Sequence, residues 1–134
     1  MSTVFADAYY FLALLNTGDK GHPRASAWTE GFSGRMVTTD LVLLEVADAM
    51  SQQGHREVFW RFYDLLHLKS QVQIIPATRQ LIEQGLALYR SRPDKGWSLT
   101  DCISFSAMNE EGLRDALTGD RHFEQAGFRL ILRT

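Results

Sequence analysis

Asp7, Glu45, Asp101 and Asp120 are carboxylates far apart along the chain whose local contexts allow them to converge. Asp7 follows the apolar run Val4-Phe5-Ala6, and Asp120 follows Ala116-Leu117-Thr118-Gly119. Glu45 and Asp101 are expected at the openings of two helices, in Thr38-Thr39-Asp40-Leu41-Val42-Leu43-Leu44-Glu45 and Ser98-Leu99-Thr100-Asp101-Cys102. Acids that meet at one edge of a parallel sheet cannot all stay ionised cheaply without a hard cation. Mg2+ and Mn2+ suit an all-oxygen shell completed by water. Such ions orient water, lower its pKa and stabilise a transferring phosphoryl group.

Each acid also has a structural alternative. Asp7 could cap a helix over residues 8–15, and Asp120 one over residues 121–126. Asp101 could be the third residue of a capping box with Ser98. Glu45 could be a solvated helix residue. Asp40 reads as a first-turn residue favoured by the helix dipole. Asp48, one turn beyond Glu45, stays outside the core set.

The elements that must bring the acids together are legible from periodicity and punctuation. Strands are expected at 3–6, 35–38, 72–75, 116–118 and 128–132. Helices are expected at 8–15, from Pro23 to about Phe32, 40–53, 55–68, 77–91, from Ser98 towards Gly112, and 121–126. In the helix over 77–91, Leu81, Ile82, Leu86 and Tyr89 are placed on or near the buried face. Alternating short strands and helices imply an α/β fold, with a small parallel sheet covered by helices on both faces. Ligands of such sheets bind outside the carboxyl ends of the strands, where Asp7 and Asp120 fall.

Bulk composition narrows the classes. The chain has 134 residues, of which 45% are hydrophobic, and a formal net charge of -2. That suits one domain over 1–134 with a substantial core. A nucleic-acid contact would have to be a local basic patch. The single cysteine, Cys102, rules out an intrachain disulfide and a thiolate zinc site, and is expected to pack as a small buried group. The four histidines form no compact ligand motif. No basic segment precedes an apolar one at the N-terminus and no apolar run is long enough for a membrane span, so the expected location is cytoplasmic, with no membrane partner.

The joint pattern resembles the PIN domain, a family of metal-dependent ribonucleases, and within it the VapC-type toxins of VapBC toxin–antitoxin systems. The likeness covers nearly the whole chain. Val4-Phe5-Ala6-Asp7 matches the first acidic block. Thr38-Thr39 followed by Leu44-Glu45-Val46 matches the second, and Leu99-Thr100-Asp101-Cys102 the third. Leu117-Thr118-Gly119-Asp120-Arg121-His122-Phe123 is the most specific piece and carries the fourth acid.

The resemblance implies that Asp7, Glu45, Asp101 and Asp120 are both the catalytic residues and the ligands of one or two Mg2+ or Mn2+ ions. Thr38, Thr39, Ser98 and Thr100 would support them, a role compatible with capping. The implied reaction is hydrolysis of RNA phosphodiester bonds by metal-activated water, leaving a 5′-phosphate and a free 3′-hydroxyl. Arg121, His122, Arg92 and Lys95 are the candidate substrate contacts, with Arg90 in the same basic loop. Trp97 could stack on a base, or belong to the core. The apolar excess in Tyr9 to Leu12 and Phe59 to Leu66 implies partner surfaces. On the family pattern these are a groove along 8–15 and 40–66 for a helical antitoxin segment, and a homodimer interface.

Competing readings are weaker. A haloacid-dehalogenase-like phosphatase needs a second Asp two residues after the first, where this chain has Tyr9. A receiver domain leaves Glu45, Asp101 and the block around Asp120 unexplained. A PIN-like RNA-processing nuclease outside toxin–antitoxin pairing, and a non-catalytic binding module of the same fold, remain as alternatives.

Overall fold

The computed structural model describes residues 2–133. Its elements run β1 (Thr3–Ala6), α1 (Ala8–Leu15), α2 (His22–Gly31), β2 (Arg35–Thr39), α3 (Asp40–Ala49) and α4 (His55–His67). They continue with β3 (Val72–Ile75), α5 (Arg79–Ser91), α6 (Leu99–Glu111), β4 (Asp115–Leu117), α7 (Arg121–Gln125) and β5 (Arg129–Leu130). The strands form one parallel sheet in the order β3-β2-β1-β4-β5, flanked by helices on both faces.

Local chemistry accounts for most boundaries. Pro23 sits in the first turn of α2, where its missing N–H costs nothing. Thr39 and Thr78 cap α3 and α5 by accepting from the amides of Val42 and Leu81, each at 3.1 Å. Gly112 ends α6 at φ 70°, a conformation glycine adopts without strain. The sheet is sealed by Phe5, Tyr10, Phe11, Phe105 and Phe123, all fully buried. Phe105 meets Phe123 edge to face at 4.9 Å between ring centroids.

The helices α5 and α6 pack directly against each other. A Cβ on Gly85 would lie 2.8 Å from Cα and 2.9 Å from the amide nitrogen of Ile103. Glycine is there to let two backbones approach.

Several expectations are corrected. α3 stops at Ala49, short of residue 53, because Ser51 turns back onto the carbonyls of Ala47 and Asp48 and Gly54 takes φ 89°. Glu45 therefore lies inside α3, not at its opening. The final strand is two residues long. On α5 the buried residues are Leu81 and Gly85, while Ile82 and Tyr89 are exposed. The helical period carries Leu81 to Gly85 and turns Ile82 and Tyr89 away. Among the described residues, no helix is long and apolar enough to cross a membrane.

Gly85→Ala should destabilise the protein by about 2 kcal/mol or more, since a clash with backbone outweighs the helix propensity gained by alanine. Thermal and urea denaturation of the two proteins would show this. Equal or greater stability of the variant would mean that α5 and α6 can separate at no cost.

Candidate metal centre

The sheet order places β1 between β2 and β4. The chain builds outward from β1 to β3, then crosses back to β4 on the other side. The carboxyl ends of β1 and β4 therefore flank the switch point, where connections diverge and leave a crevice. Asp7 follows β1 directly and Asp120 follows β4 by three residues.

Asp7 is buried, at 5% exposure, and caps α1 through a 3.4 Å bond from the Tyr9 amide. The hydroxyl of Thr118 donates to its Oδ2 at 2.9 Å and accepts from the Asp120 amide at 3.1 Å. One buried hydroxyl thus holds the first acid and orients the backbone of the last. Burial pushes the Asp7 carboxyl up to about 7; Thr118 opposes this, and the negative charges of Glu45 and Asp101 add to it.

Asp101 completes the capping box of α6. Its Oδ2 accepts from the Ser98 amide at 3.2 Å, and Ser98 Oγ accepts from the Asp101 amide at 3.0 Å. The same Oδ2 lies 3.0 Å from Nδ1 of His122. His122 reaches Asp120 too, its amide donating to Oδ1 at 2.9 Å. One ligand atom each from Asp101, Asp120 and His122 lies within 4.8 Å of the others. Asp7 and Glu45 stand outside that tight group but are coupled to it by charge. On Glu45, partial desolvation and then the charges of Asp101 and Asp120 raise the carboxyl pKa. The α3 acid therefore faces the α6 and α7 acids across the crevice. Leu41, Leu44, Asp48, Ser98 and Thr100 join Glu45 around a depression of about 260 Å³.

The other predicted residues are dispersed in role. Thr38 Oγ1 donates to the Ala6 carbonyl at 2.8 Å, fixing the backbone just before Asp7, and Thr39 caps α3. Arg121 is exposed beside the acids. Arg92 spends its fork on Asp94, at 3.0 and 2.9 Å, and stands 5.3 Å over the Trp97 ring. Trp97 is core, its indole N–H donating to Gln125 at 3.1 Å. Cys102 is buried, and desolvation raises its thiol pKa.

Three residues escaped sequence reasoning in these positions. Thr118 had a signal, as a hydroxyl closing β4 two residues before an acid, a spacing that favours a local turn. His122 was legible only as a neighbour of Asp120; its contact with Asp101 spans the fold. Tyr9 packs its ring onto Gly119, where a Cβ would fall 2.6 Å from Cζ.

The arrangement fits a hard divalent cation. Among the described residues, none of the four acids pairs with a lysine or arginine, and the basic group that does contact Asp101 and Asp120 is the imidazole of His122. Carboxylate oxygens with one imidazole suit Mg2+ or, with the nitrogen engaged, Mn2+.

Residues 4–129 match the sequence profile of the PIN domain. The fold is similar to that of VapC20 from Mycobacterium tuberculosis, described as a sarcin-ricin loop cleaving toxin, with 24% identity, 96% of this chain and 97% of that one covered, and a TM-score of 0.86. It is similar to VapBC2 from Rickettsia felis, solved bound to a DNA fragment from its promoter, with 14% identity, coverage of 96% and 97%, and a TM-score of 0.65. It also resembles a toxin–antitoxin complex from Klebsiella pneumoniae, at 18% identity, coverage of 88% and 87%, and a TM-score of 0.62. No curated protein sequence matches significantly.

The raised Asp7 pKa sets a sign. The folded chain keeps this proton where the unfolded chain has released it. The contribution to stability is full below about 4 and is lost as pH rises through about 7. Asp7→Asn keeps the cap and the Thr118 bond, so it should stabilise the metal-free protein at pH 8 by about 2–4 kcal/mol. The gain should vanish near pH 4 in melts run with EDTA. A variant no more stable than the parent at pH 8 would show that Asp7 is not held against its charge.

Proposed function

The chain belongs to the PIN-domain family, and from that membership we propose that it is a metal-dependent endoribonuclease, the toxin of a type II toxin–antitoxin pair. The observation that carries this reading is the convergence of Asp7, Glu45, Asp101 and Asp120 at the switch point of the sheet, with no lysine or arginine among the described residues paired to them. A purely structural cluster gains nothing from such repulsion. A site that must hold cations beside a phosphate depends on it.

Asp101 and Asp120, with Asp7 and Glu45 coupled to them by charge, would hold one or two Mg2+ or Mn2+ ions. Such an ion, when bound, would lower the pKa of water and offset charge on the phosphoryl oxygens. The chain's own residues do the rest. His122, gripped by Asp101 through Nδ1 and by Asp120 at its amide, keeps the two carboxylates in fixed relation. Arg121, exposed beside it, contacts a non-bridging oxygen and positions the strand. Glu45 sits on the solvent side with a raised pKa, which suits a carboxylate that takes a proton from attacking water. The new bond joins that water oxygen to phosphorus, the bond to the ribose 3′ oxygen breaks, and the products are a 5′-phosphate and a 3′-hydroxyl.

The partner surfaces support the toxin reading. Leu12, Leu15, Met50 and Val58 line a groove of about 490 Å³ between the ends of α1 and α3 and the start of α4. An amphipathic antitoxin helix laid there would use its apolar face. Trp60, Leu65 and Leu68 on and just after α4 are exposed at 52%, 60% and 81%, which supports a homodimer face. Likeness in fold to proteins described as toxins and toxin–antitoxin complexes points the same way.

The deciding experiment is cleavage of total cellular RNA by purified protein with Mg2+ or Mn2+, with EDTA and Asp101→Asn as controls. Discrete products should appear and be lost in both controls. Glu45→Gln should lower kcat by about 10²-fold, the usual worth of a general base. Absence of products with either metal, from protein freed of co-purified antitoxin, would sink the nuclease reading. Leu65→Glu should shift the mass in light scattering from dimer to monomer; an unchanged mass would remove α4 from the dimer face.

A further inference from the structure

We propose that the cavity between the end of α5 and the start of α6 binds one nucleotide of single-stranded RNA flanking the cleaved bond. In this arrangement the base stacks on Tyr89 and Arg92, and the adjacent phosphate is held by Arg90 and Lys95. The inference rests on the ribonuclease reading and extends it to how the substrate is held.

The cavity has a volume of about 470 Å³, within the range of small-ligand sites, and Trp97 and Cys102 form part of its lining. Arg90, Arg92 and Lys95 line it, and no carboxylate does. In a chain of net charge -2, Arg90 and Lys95, beside an Arg92 already paired with Asp94, give this hollow the local basic patch that an RNA contact would need. Arg90 and Lys95 form no ion pair among the described residues, so their charges are available to a phosphate.

Arg92 differs from them. Its fork is taken by Asp94, which neutralises its edge and leaves it poorly suited to grip phosphate. Its guanidinium is backed by Trp97 at 5.3 Å, and its side chain is 42% exposed. Trp97 is itself pinned by Gln125 and by an edge contact with Phe105 at 5.1 Å. A guanidinium held in place at its edge and from behind offers its outer face to a base. Tyr89, 48% exposed at the rim, adds a second π surface. Base stacking of this kind tolerates any base.

Position links the cavity to the metal centre. Trp97 precedes Ser98 and Cys102 follows Asp101, and Ser98 and Asp101 form the capping box beside the acids. The cavity and the acids therefore flank the same first turn of α6, as neighbouring nucleotides of one strand would require.

The test is binding of a short, mixed-sequence single-stranded RNA to the Asp101→Asn protein, followed by fluorescence anisotropy. Tyr89→Ala and the pair Arg90→Ala with Lys95→Ala, each made in that background, should weaken binding about tenfold. The paired variant should also lower the salt dependence, by about 0.7 for each phosphate that is no longer neutralised. Tyr89→Phe should restore affinity, and thermal melts should stay unchanged because Tyr89 and Arg90 are exposed and Lys95 is only half-buried. Photocrosslinking of iodouridine-substituted RNA should map to residues 89–97. Affinities and crosslinks indifferent to these changes, in a protein whose wild type cleaves RNA, would overturn the cavity assignment alone. Variants that bind RNA normally but lose self-association would reassign the cavity to a protein interface. A wild type that cleaves no RNA would take the ribonuclease reading down as well.

Discussion

The bond from Thr118 to Asp7 is the interaction on which the rest of this centre depends. Among the described residues it is the one side-chain donor to a buried carboxylate that two further acids repel. Through the same oxygen Thr118 also receives the Asp120 amide, so the ends of β1 and β4 share one hydrogen-bonded hinge. A buried acid whose donors, the Thr118 hydroxyl and the Tyr9 amide, are both neutral is held neutral or held for a cation. Everything around Asp7, from the Thr38 bond onto the preceding carbonyl to the sheet pairing of Ala6 with Leu117, resists its moving out to water.

Three of the four acids also perform a structural task that any helix needs. Asp7, Asp101 and Asp120 accept amide hydrogens at the first turns of α1, α6 and α7. Capping uses some of the acceptor capacity of a carboxylate, and the remaining lone pairs stay directed outward. The positive ends of three helices meet at the same crevice and favour the negative charge gathered there. Capping therefore leaves these carboxylates able to hold a cation as well, so the two roles that each residue offers alone are compatible.

Much of the fold could be read from the chain. The apolar run before Asp7, Pro23, Thr39 as a cap, Pro76 after β3 and Gly112 after α6 mark element ends by local chemistry. Where reading failed, distance or rotation was responsible. Ile82 and Tyr89 look like core residues in composition, yet the α5 axis turns them outward because Gly85 is the residue brought against Ile103. Trp97, for which stacking on a base and a place in the core were both open, is held in the core by Phe105 and Gln125. Arg92 looks like a free cation until Asp94 closes on it.

The sequence by itself determined which residues carry charge, where helices start, and that strands and helices alternate, since these follow from side-chain chemistry and spacing within a few residues. It thereby marked Asp7, Glu45, Asp101 and Asp120 as a set. Only the tertiary structure decided that Thr118 joins two of them, that His122 spans Asp101 and Asp120, and that Glu45 faces them from the middle of α3. The contacts that cross the fold depend on strand order and helix rotation, which arise from packing the whole core; only the turn from Thr118 to Asp120 left a local mark in the chain.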